Sequence, residues 1–404
     1  MYEWARTSAD TGLVADLNYF TDTKVKIRRD ETQRAVKKVL EVVDSILTYV
    51  NLRDKRFSHQ PRSAGSYASG LKVSKPDEFD YMVQLEGLPR FEWKSVSPPR
   101  HYNINETGQI VRTSEVQLPI QVADFGTRPP KGYHLLWFTD NSHGDCPRAI
   151  RYSGDMTEDD DLVPLKVRSI FKGLVQEAIR ECDLKEKVRL CNRTHGPAIT
   201  LKLLIGSDGG ISVDLVPFVP NNGIGLPPSV LETWPRMWRR WPPADKVEEV
   251  KRVGIVSVAK DNLYWQTSYQ LCEMALLEGI DRDGGCRKQC LRILKKLRED
   301  DWCRSTKPVV SSYHLKTLLL WECERYPNST DWSREKLGER VLGLVRELKK
   351  WVNDRVCPHY FVPEINLFKD KHGNLKDPEN GRGFDHVDKK LSEFLNEPRR
   401  LLRD

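Results

Sequence analysis

The sequence predicts an α+β protein with two lobes, a mixed β-sheet lobe followed by an α-helical lobe. Three observations support this fold class. A long amphipathic helical pattern fills residues 30–50, β-rich segments follow between residues 78 and 217, and the pattern turns helical from about residue 260. We therefore place the boundary near residues 242–260 and assign residues 1–245 to the first lobe and 246–404 to the second.

The composition is that of a folded protein with a sizeable core. Of the 404 residues, 39% are hydrophobic, and eleven are tryptophan. No apolar run is long enough for a transmembrane helix, and the first sixteen residues lack the apolar stretch of a signal peptide. The nine cysteines form no CxxC pair, which is typical of reduced thiols in the cytoplasm or nucleus. We expect a cytoplasmic protein without membrane contact.

The first strong element is a helix over about residues 30–50. Its apolar residues recur at helical spacing, and Asp30 suits the positive end of the helix dipole. Basic residues precede the helix and continue on its outer face. The apolar positions are Val36, Val39, Leu40, Val43, Ile46, Leu47 and Val50.

Strands and turns dominate the next part of the chain. We expect a strand at 78–85, several β-rich pieces between 92 and 138, and a hairpin of strands 198–205 and 211–217 closed by the Gly-rich turn 206–210. The acidic run 158–161 is interpreted as a solvated cap of a helix over residues 164–182.

Two carboxylates begin the strand at residue 78. Because side chains alternate across a strand, Glu78 and Asp80 project together on one face, while Phe79 and Tyr81 anchor the other. Asp214, among apolar residues of another strand, is a third candidate. Close carboxylates need a compensating charge, and three of them could hold two Mg²⁺ ions for phosphoryl transfer. The alternative for Glu78 and Asp80 is a solvated strand edge, but a buried carboxylate at 214 is costly without a partner.

A Gly-Ser turn precedes these carboxylates by twelve residues. A glycine at 65 lets the backbone approach a phosphate, and the hydroxyl of Ser66 can donate to it. By itself, Gly65-Ser66 could equally be an ordinary turn.

The order of these motifs resembles cyclic GMP–AMP synthase and its animal relatives, the cGAS-like receptors of the male-abnormal superfamily. The resemblance extends over roughly residues 24–370 and implies a two-lobed nucleotidyltransferase fold with a long spine helix. The second lobe is especially similar to the male-abnormal developmental proteins. The motifs that carry the resemblance are Gly65-Ser66, Glu78-Phe79-Asp80, the segment 196–201, Val213-Asp214, and the segments 286–291, 311–317 and 360–368.

The resemblance implies a role for each matching residue. Glu78, Asp80 and Asp214 would be catalytic and would ligate Mg²⁺ or Mn²⁺, with Gly65 and Ser66 at the triphosphate. In the second lobe, Lys295 would contact phosphate, Tyr313 would stack on a nucleobase, and Ser312 would touch nucleotide. Without the family context, Lys295 could be a surface lysine and Tyr313 a core aromatic residue.

The sequence departs from the mammalian synthase at two places. Gln266 occupies the position of a base-contacting arginine, which leaves the choice of nucleobases open. The zinc-binding thumb is missing, because the segment before Cys286 is short and lacks ligands. We expect no structural zinc, and Cys286 and Cys290 are predicted to be packed thiols.

Thumb-less relatives resemble sensors of double-stranded RNA, which is recognised by shape and backbone. A basic surface near the first helix could serve this purpose, with a second basic cluster at 287–296. A solvated helix face is the alternative. The predicted nucleic-acid contacts are Lys24, Lys26, Arg28, Arg29, Arg34, Lys37, Lys38, Arg287 and Lys288.

We therefore expect an enzyme of innate immune signalling that joins ATP and GTP, or other nucleoside triphosphates, into a cyclic dinucleotide when it binds double-stranded RNA. The product would act on a downstream cyclic-dinucleotide receptor. The alternatives are a catalytically silent scaffold of the male-abnormal type, a synthase activated by double-stranded DNA, and a synthase of linear oligoadenylates.

Overall fold

The structure, a computed structural model, describes residues 2–87, 91–94, 102–105, 107–112, 132–138, 155–158, 161–191, 196–204, 210–220, 225–236, 240–303, 308–377 and 381–403. The strands are β1 Arg62–Ala64, β2 Glu78–Gln84, β3 Phe91–Lys94, β4 Tyr102–Ile104, β5 Ile110–Arg112, β6 Tyr133–Phe138, β7 Thr157–Glu158, β8 Asp161–Leu162, β9 Val188–Leu190, β10 Ile199–Leu203, β11 Ile211–Pro220, β12 Val256–Val258 and β13 Trp265–Ser268.

The α-helices are α1 Tyr2–Phe20, α2 Arg29–Arg53, α3 Gly65–Ala68, α4 Pro164–Glu181, α5 Pro228–Leu231, α6 Ala244–Val253, α7 Gln270–Leu277, α8 Arg287–Leu297, α9 Ser312–Arg325, α10 Leu337–Asp354, α11 Arg382–Asn396 and α12 Arg400–Arg403. A π-helical turn at Thr21–Val25 joins α1 to the segment before α2. The predicted helix over residues 30–50 is therefore confirmed. Leu40 is the exception to its predicted apolar face, because its side chain is exposed.

One mixed sheet forms the centre of the first lobe and contains eleven of the described strands. Strand β11 lies at its middle, parallel to β2 and antiparallel to β10 and β12. The expected hairpin of β10 and β11 is present, with Gly210 at positive φ, while residues 205–209 of its turn lie outside the described residues. The long helix α2 and helix α4 pack together over the sheet.

The packing of this lobe follows from strand alternation. Phe79, Tyr81 and Val83 of β2 are buried in the core that the sheet shares with α2 and α4. Val213 and Leu215 of β11 enter the same core. Fully burying such side chains contributes roughly 1.5–3 kcal/mol each, so the two central strands are firmly held.

Helices α7 to α11 build the second lobe around a core of its own, which confirms its helical character. The amino-terminal helix α1, which is absent from the predicted elements, adds Leu13 and Leu17 to this core. The boundary at residue 245 stays a prediction, and strands β12 and β13, which follow it, belong to the central sheet. No described helix is both long and apolar enough to cross a membrane.

The interpretation of the acidic run 158–161 was wrong for its two ends, while residues 159–160 lie outside the described residues. Glu158 and Asp161 are buried in the short strands β7 and β8 rather than solvated. Glu158 pairs with Lys166 at 2.5 Å, and Asp161 accepts a hydrogen bond of 2.5 Å from the hydroxyl of Tyr102. Their partners lie on the following helix and on a distant strand, which a linear charge pattern does not reveal.

Candidate active site

The three predicted carboxylates meet where β2 and β11 run side by side. In this parallel pair Asp80 is the register partner of Asp214, and Glu78 lies two residues earlier on β2. One oxygen of each carboxylate lies within 4.8 Å of the others. Within the described part of the chain, no other group of three acidic, cysteine or histidine ligands converges in this way.

Gly65 closes one side of this carboxylate triad. It follows β1, whose last residue Ala64 pairs with Asp80, and its backbone adopts φ +69°. A Cβ built at this position would lie 1.7 Å from Asp80 Oδ2. Only glycine leaves room for the carboxylate and tolerates this φ, so the glycine of the Gly-Ser turn is explained by the site itself.

Two further side chains, neither of which is predicted from the sequence pattern, hold the triad. The Thr200 hydroxyl donates a hydrogen bond of 2.7 Å to Asp214 Oδ1 from the neighbouring strand β10. The Lys72 ammonium lies 3.0 Å from Glu78 Oε2 and 2.9 Å from Asp77 Oδ1. The hairpin register could have indicated Thr200, because it predicts which residue faces Asp214.

The electrostatics of the triad favour a bound cation. Burial raises the pKa of Asp80 to about 6, and the negative charges of Glu78 and Asp214 add to the effect. Burial lowers the pKa of Lys72, but Glu78 and Asp77 outweigh it, so that this pKa is raised. Clustered carboxylate oxygens with a partly desolvated member suit a hard divalent cation such as Mg²⁺ or Mn²⁺. The three residues therefore fit a divalent metal.

Comparison with known protein families assigns the domain that contains this site. The profile of the Mab-21 protein nucleotidyltransferase domain matches residues 67–279, which include all three carboxylates. The chain belongs to the Mab-21 family. The profile of the Mab-21 protein HhH/H2TH-like domain matches residues 286–378 in the helical lobe.

Two curated relatives support the assignment over nearly the whole chain. The protein is 31% identical to "Protein mab-21-like 3" of Xenopus laevis over 383 residues, 95% of each chain. It is 30% identical to "Protein mab-21-like 3" of Danio rerio over 406 aligned positions, which cover 95% of this chain and 97% of the relative. The predicted nucleotidyltransferase fold and the recognised superfamily are thereby confirmed.

In this Mab-21 protein, Lys295 of α8 lies next to the triad. The lysine is buried, and its Nζ donates a hydrogen bond of 2.7 Å to the carbonyl oxygen of Leu71, the residue before Lys72. Burial lowers the pKa of Lys295 to about 8, and Lys72 adds to this lowering, against the carboxylates of Glu299 and Glu78. The alternative of an exposed surface lysine is therefore wrong, while phosphate contact stays a prediction.

The remaining predicted nucleotide contacts lie on other elements. Helix α9 begins with a capping box between Ser311 and His314, which fixes Ser312 and Tyr313 in its first turn. Tyr313 is partly buried and donates a hydrogen bond of 2.9 Å to the buried Glu273. Its role in base stacking stays a prediction.

Two predicted contacts in the first lobe are partly accessible. Gln266 is half-buried in strand β13, where its register partners are Val258 and Tyr133. Ser66 is half-buried in the short helix α3. Its carbonyl oxygen accepts a hydrogen bond of 2.8 Å from the backbone of Leu71, which folds the chain back toward the triad.

The predicted basic surface is largely exposed. Seven of its members lie in the π-helical turn, in the first turns of α2 and between them. Two of these form exposed ion pairs with a carboxylate four residues earlier, Lys26 with Asp22 and Arg34 with Asp30. Such pairs contribute little to stability and can exchange for phosphates. The exposed members are Lys24, Lys26, Arg28, Arg29, Arg34, Lys37 and Lys38.

Arg287 does not belong to an exposed surface, which corrects its prediction as a nucleic-acid contact. Its guanidinium is buried, lies 2.9 Å from Asp283 and 3.5 Å from Asp281, and donates to the carbonyl oxygen of Ile280. Burying an arginine is tolerated here because the carboxylates compensate its charge. Lys288 is half-buried on the same helix.

Cys286, the residue before α8, and Cys290 within the helix are packed thiols, as predicted. Cys286 and Cys290 are both buried, and their Sγ atoms lie 3.9 Å apart across one helical turn. Burial is the leading cause that raises the pKa of Cys290, which keeps this thiol protonated.

Proposed function

We propose that this Mab-21 protein is a metal-dependent nucleotidyltransferase that joins two nucleoside triphosphates into a cyclic dinucleotide. The observation that carries the proposal is the register of Asp80 with Asp214 on parallel strands, with Glu78 beside them and a glycine that leaves the carboxylates room. Few structural roles require three carboxylates at such short range, because their mutual repulsion destabilises the fold.

The chemistry is a displacement at phosphorus. A ribose hydroxyl oxygen forms a bond to an α-phosphorus, the bond to the bridging oxygen breaks, and pyrophosphate leaves. Glu78, Asp80 and Asp214 would hold divalent cations, which would supply charge neutralisation for the attacking and leaving oxygens. Asp214 is the candidate acceptor of the hydroxyl proton, and its Oδ1 is oriented by Thr200.

Other residues of the chain bind and orient the substrate. The backbone N–H groups and the hydroxyl at Gly65 and Ser66 face the phosphate end, and Lys295 adds a positive charge behind the triad. Tyr313 offers a flat ring for a nucleobase, and Gln266 is the candidate base reader. Two successive displacements with the same residues give a cyclic product such as cyclic GMP–AMP.

The proposed activator is double-stranded RNA, with an immune second messenger as the product. The support is the exposed basic surface around the start of α2, which offers Lys and Arg side chains to a phosphate backbone. Helix α8 contacts this region, because Gln289 donates hydrogen bonds to Asn18 and Thr21.

The test of the enzyme is incubation with α-labelled ATP, GTP, CTP and UTP, Mg²⁺ or Mn²⁺, and a panel of RNA and DNA duplexes. Products are mapped with nucleases. We expect a nuclease-resistant cyclic dinucleotide that disappears in Asp80→Asn and persists in Asp44→Asn, an exposed acid of α2. A ladder of linear oligomers refutes cyclisation, and stimulation by DNA alone refutes the RNA activator.

The test of the basic surface is charge reversal. Changing Lys26, Arg29 and Lys37 to Glu should abolish stimulation by the duplex and reduce the salt dependence of binding. The matched control is an equal reversal of exposed residues at the end of α4 and after it, Arg180, Lys185 and Lys187. Equal loss of duplex stimulation in both variants would show a non-specific effect of net charge.

The rival function is a catalytically silent scaffold. The pairing of Lys72 with Glu78 favours it, because a lysine already compensates one of the three carboxylates. No product with any duplex, together with an Asp80→Asn variant that matches the wild type in every assay, would establish this rival.

A further inference from the structure

Lys72 occupies a position between two carboxylates at the edge of the triad. Its Nζ lies 2.9 Å from Asp77 Oδ1 and 3.0 Å from Glu78 Oε2. The lysine side chain is 13% exposed, whereas the carboxylates of Asp77 and Glu78 are 57% and 52% exposed. A largely buried lysine side chain therefore reaches Glu78, the most accessible residue of the triad.

The backbone that carries Lys72 is fixed on both sides. Leu71 and Val73 are each only 3% exposed and belong to the core of the helical lobe. The Leu71 amide donates to Ser66 at 2.8 Å, and its carbonyl oxygen accepts from Lys295 at 2.7 Å. Movement of the Lys72 ammonium must therefore come from its own flexible side chain, since the loop is held in place.

We propose that Lys72 is an internal counter-cation, which occupies Glu78 when no divalent cation is bound and releases it when one binds. This inference rests on the proposed function in one respect only, that the triad is a metal site. Three ionised carboxylates within 4.8 Å repel one another, and the ammonium lowers that repulsion in the metal-free protein.

Asp77 completes the exchange. It contacts the same ammonium as Glu78 does, so Lys72 stays paired after Glu78 turns toward a divalent cation. If Glu78 left and Lys72 had no other partner, its largely buried charge would be uncompensated, which would oppose metal binding. Asp77, at 2.9 Å from the ammonium, remains as that partner. The two carboxylates thus have different roles, with Glu78 as metal ligand and Asp77 as the partner that remains.

The direction in which metal affinity changes when Lys72 loses its charge distinguishes a counter-cation from a purely structural lysine. If Lys72 competes with the divalent cation, then removing its charge strengthens metal binding, because Glu78 is already free and a repelling cation is gone. If Lys72 only holds Glu78 in position, removing it weakens metal binding.

The experiment is a titration of the full-length protein with Mn²⁺ in the absence of nucleotide, with free Mn²⁺ measured by electron paramagnetic resonance. Lys72→Met keeps the length of the side chain and should bind Mn²⁺ about tenfold more tightly than the wild type. The control Lys75→Met removes an exposed charge three residues away and should change the affinity less than about twofold. Asp77→Asn should weaken Mn²⁺ binding in the wild-type protein. The same substitution should weaken Mn²⁺ binding less when Lys72→Met is already present.

Each outcome of the Mn²⁺ titration either supports or contradicts the proposed role of Lys72. Unchanged or weaker Mn²⁺ binding in Lys72→Met overturns the inference, and Lys72→Gln repeats the test if the methionine variant does not fold. Failure of the wild type to bind Mn²⁺ contradicts the proposed function itself. If the wild type binds Mn²⁺ and Lys72→Met binds it with the same affinity, the result contradicts the role of Lys72 but not the proposed metal site.

Discussion

Replacing Gly65 by alanine tests the geometry of the triad most directly. The added Cβ would lie 1.7 Å from Asp80 Oδ2, whereas side-chain Cβ atoms keep at least 3.0 Å from their neighbours. The carboxylate must therefore retreat by about 1.3 Å, the difference between the two distances. A displacement of about 1 Å in a reacting constellation can reduce its activity about 100-fold.

The same substitution also strains the backbone, and that contribution needs separate measurement. An L-residue in the left-handed region costs roughly 1–2 kcal/mol, so Gly65→Ala should lower the free energy of unfolding by that amount. Gly70 provides a matched control, because its φ is also +69° but its added Cβ would meet only Lys288 Nζ at 3.8 Å. Gly70→Ala should show the same loss of stability without displacing a carboxylate.

The assay compares Mn²⁺ affinity and urea unfolding for the two variants. We expect both to lose similar stability, and only Gly65→Ala to lose Mn²⁺ binding, by about tenfold or more. Equal Mn²⁺ affinity in Gly65→Ala and Gly70→Ala would refute the reasoning, because Asp80 would then be either dispensable for the metal or free to relax.

The two remaining predictions concern a hydrogen bond and pH. Thr200→Val should weaken Mn²⁺ binding about tenfold, because Asp214 loses a buried donor at 2.7 Å and hydrogen bonds to charged groups contribute about 1.5–3 kcal/mol; an unchanged titration would contradict this. Burial lowers the pKa of His134 and His314 to about 3 and that of His359 to about 4, below the unfolded value of about 6.5. These neutral imidazoles contribute stability above pH 6.5 that is lost as the pH falls toward their folded pKa values. The raised pKa of Asp80 acts in the opposite direction over the same range, so the test uses Asp80→Asn, in which urea unfolding should show a loss of about 1.4 kcal/mol per histidine between pH 7.5 and 5.5. Constant stability over that range would show that the rings are charged or solvated in the folded protein.

The triad could be predicted from sequence because strand periodicity determines it. Glu78 and Asp80 share a face by alternation, and an aspartate surrounded by apolar residues at 214 had to lie near a compensating group. The register that makes Asp80 and Asp214 neighbours depends on a parallel pairing of residues 134 positions apart, which local patterns do not encode. Lys72 was missed for the same reason, since its role depends on how its loop folds over Glu78.

Charged residues were the least predictable part of the chain. Arg287 looked like a surface cation at the start of a basic helix, but it is buried against Asp281 and Asp283, which precede it in a loop. Glu158 looked like a solvated cap and is buried against Lys166. In both cases the compensating partner decides the burial, and a count of charges along the sequence does not identify that partner.

Helix α8 gives the proposed basic surface and the triad a common support. Near its start, Gln289 bonds to Thr21 in the π-helical turn, and near its end Lys295 bonds to Leu71 beside the triad. These two contacts are about 9 Å apart along one helix, at 1.5 Å per residue. Cys290 lies between these two contacts and is fully buried, so α8 is held in the core of the helical lobe along the length that joins them. The proposed RNA-binding surface and the proposed metal site therefore both depend on the position of this one helix.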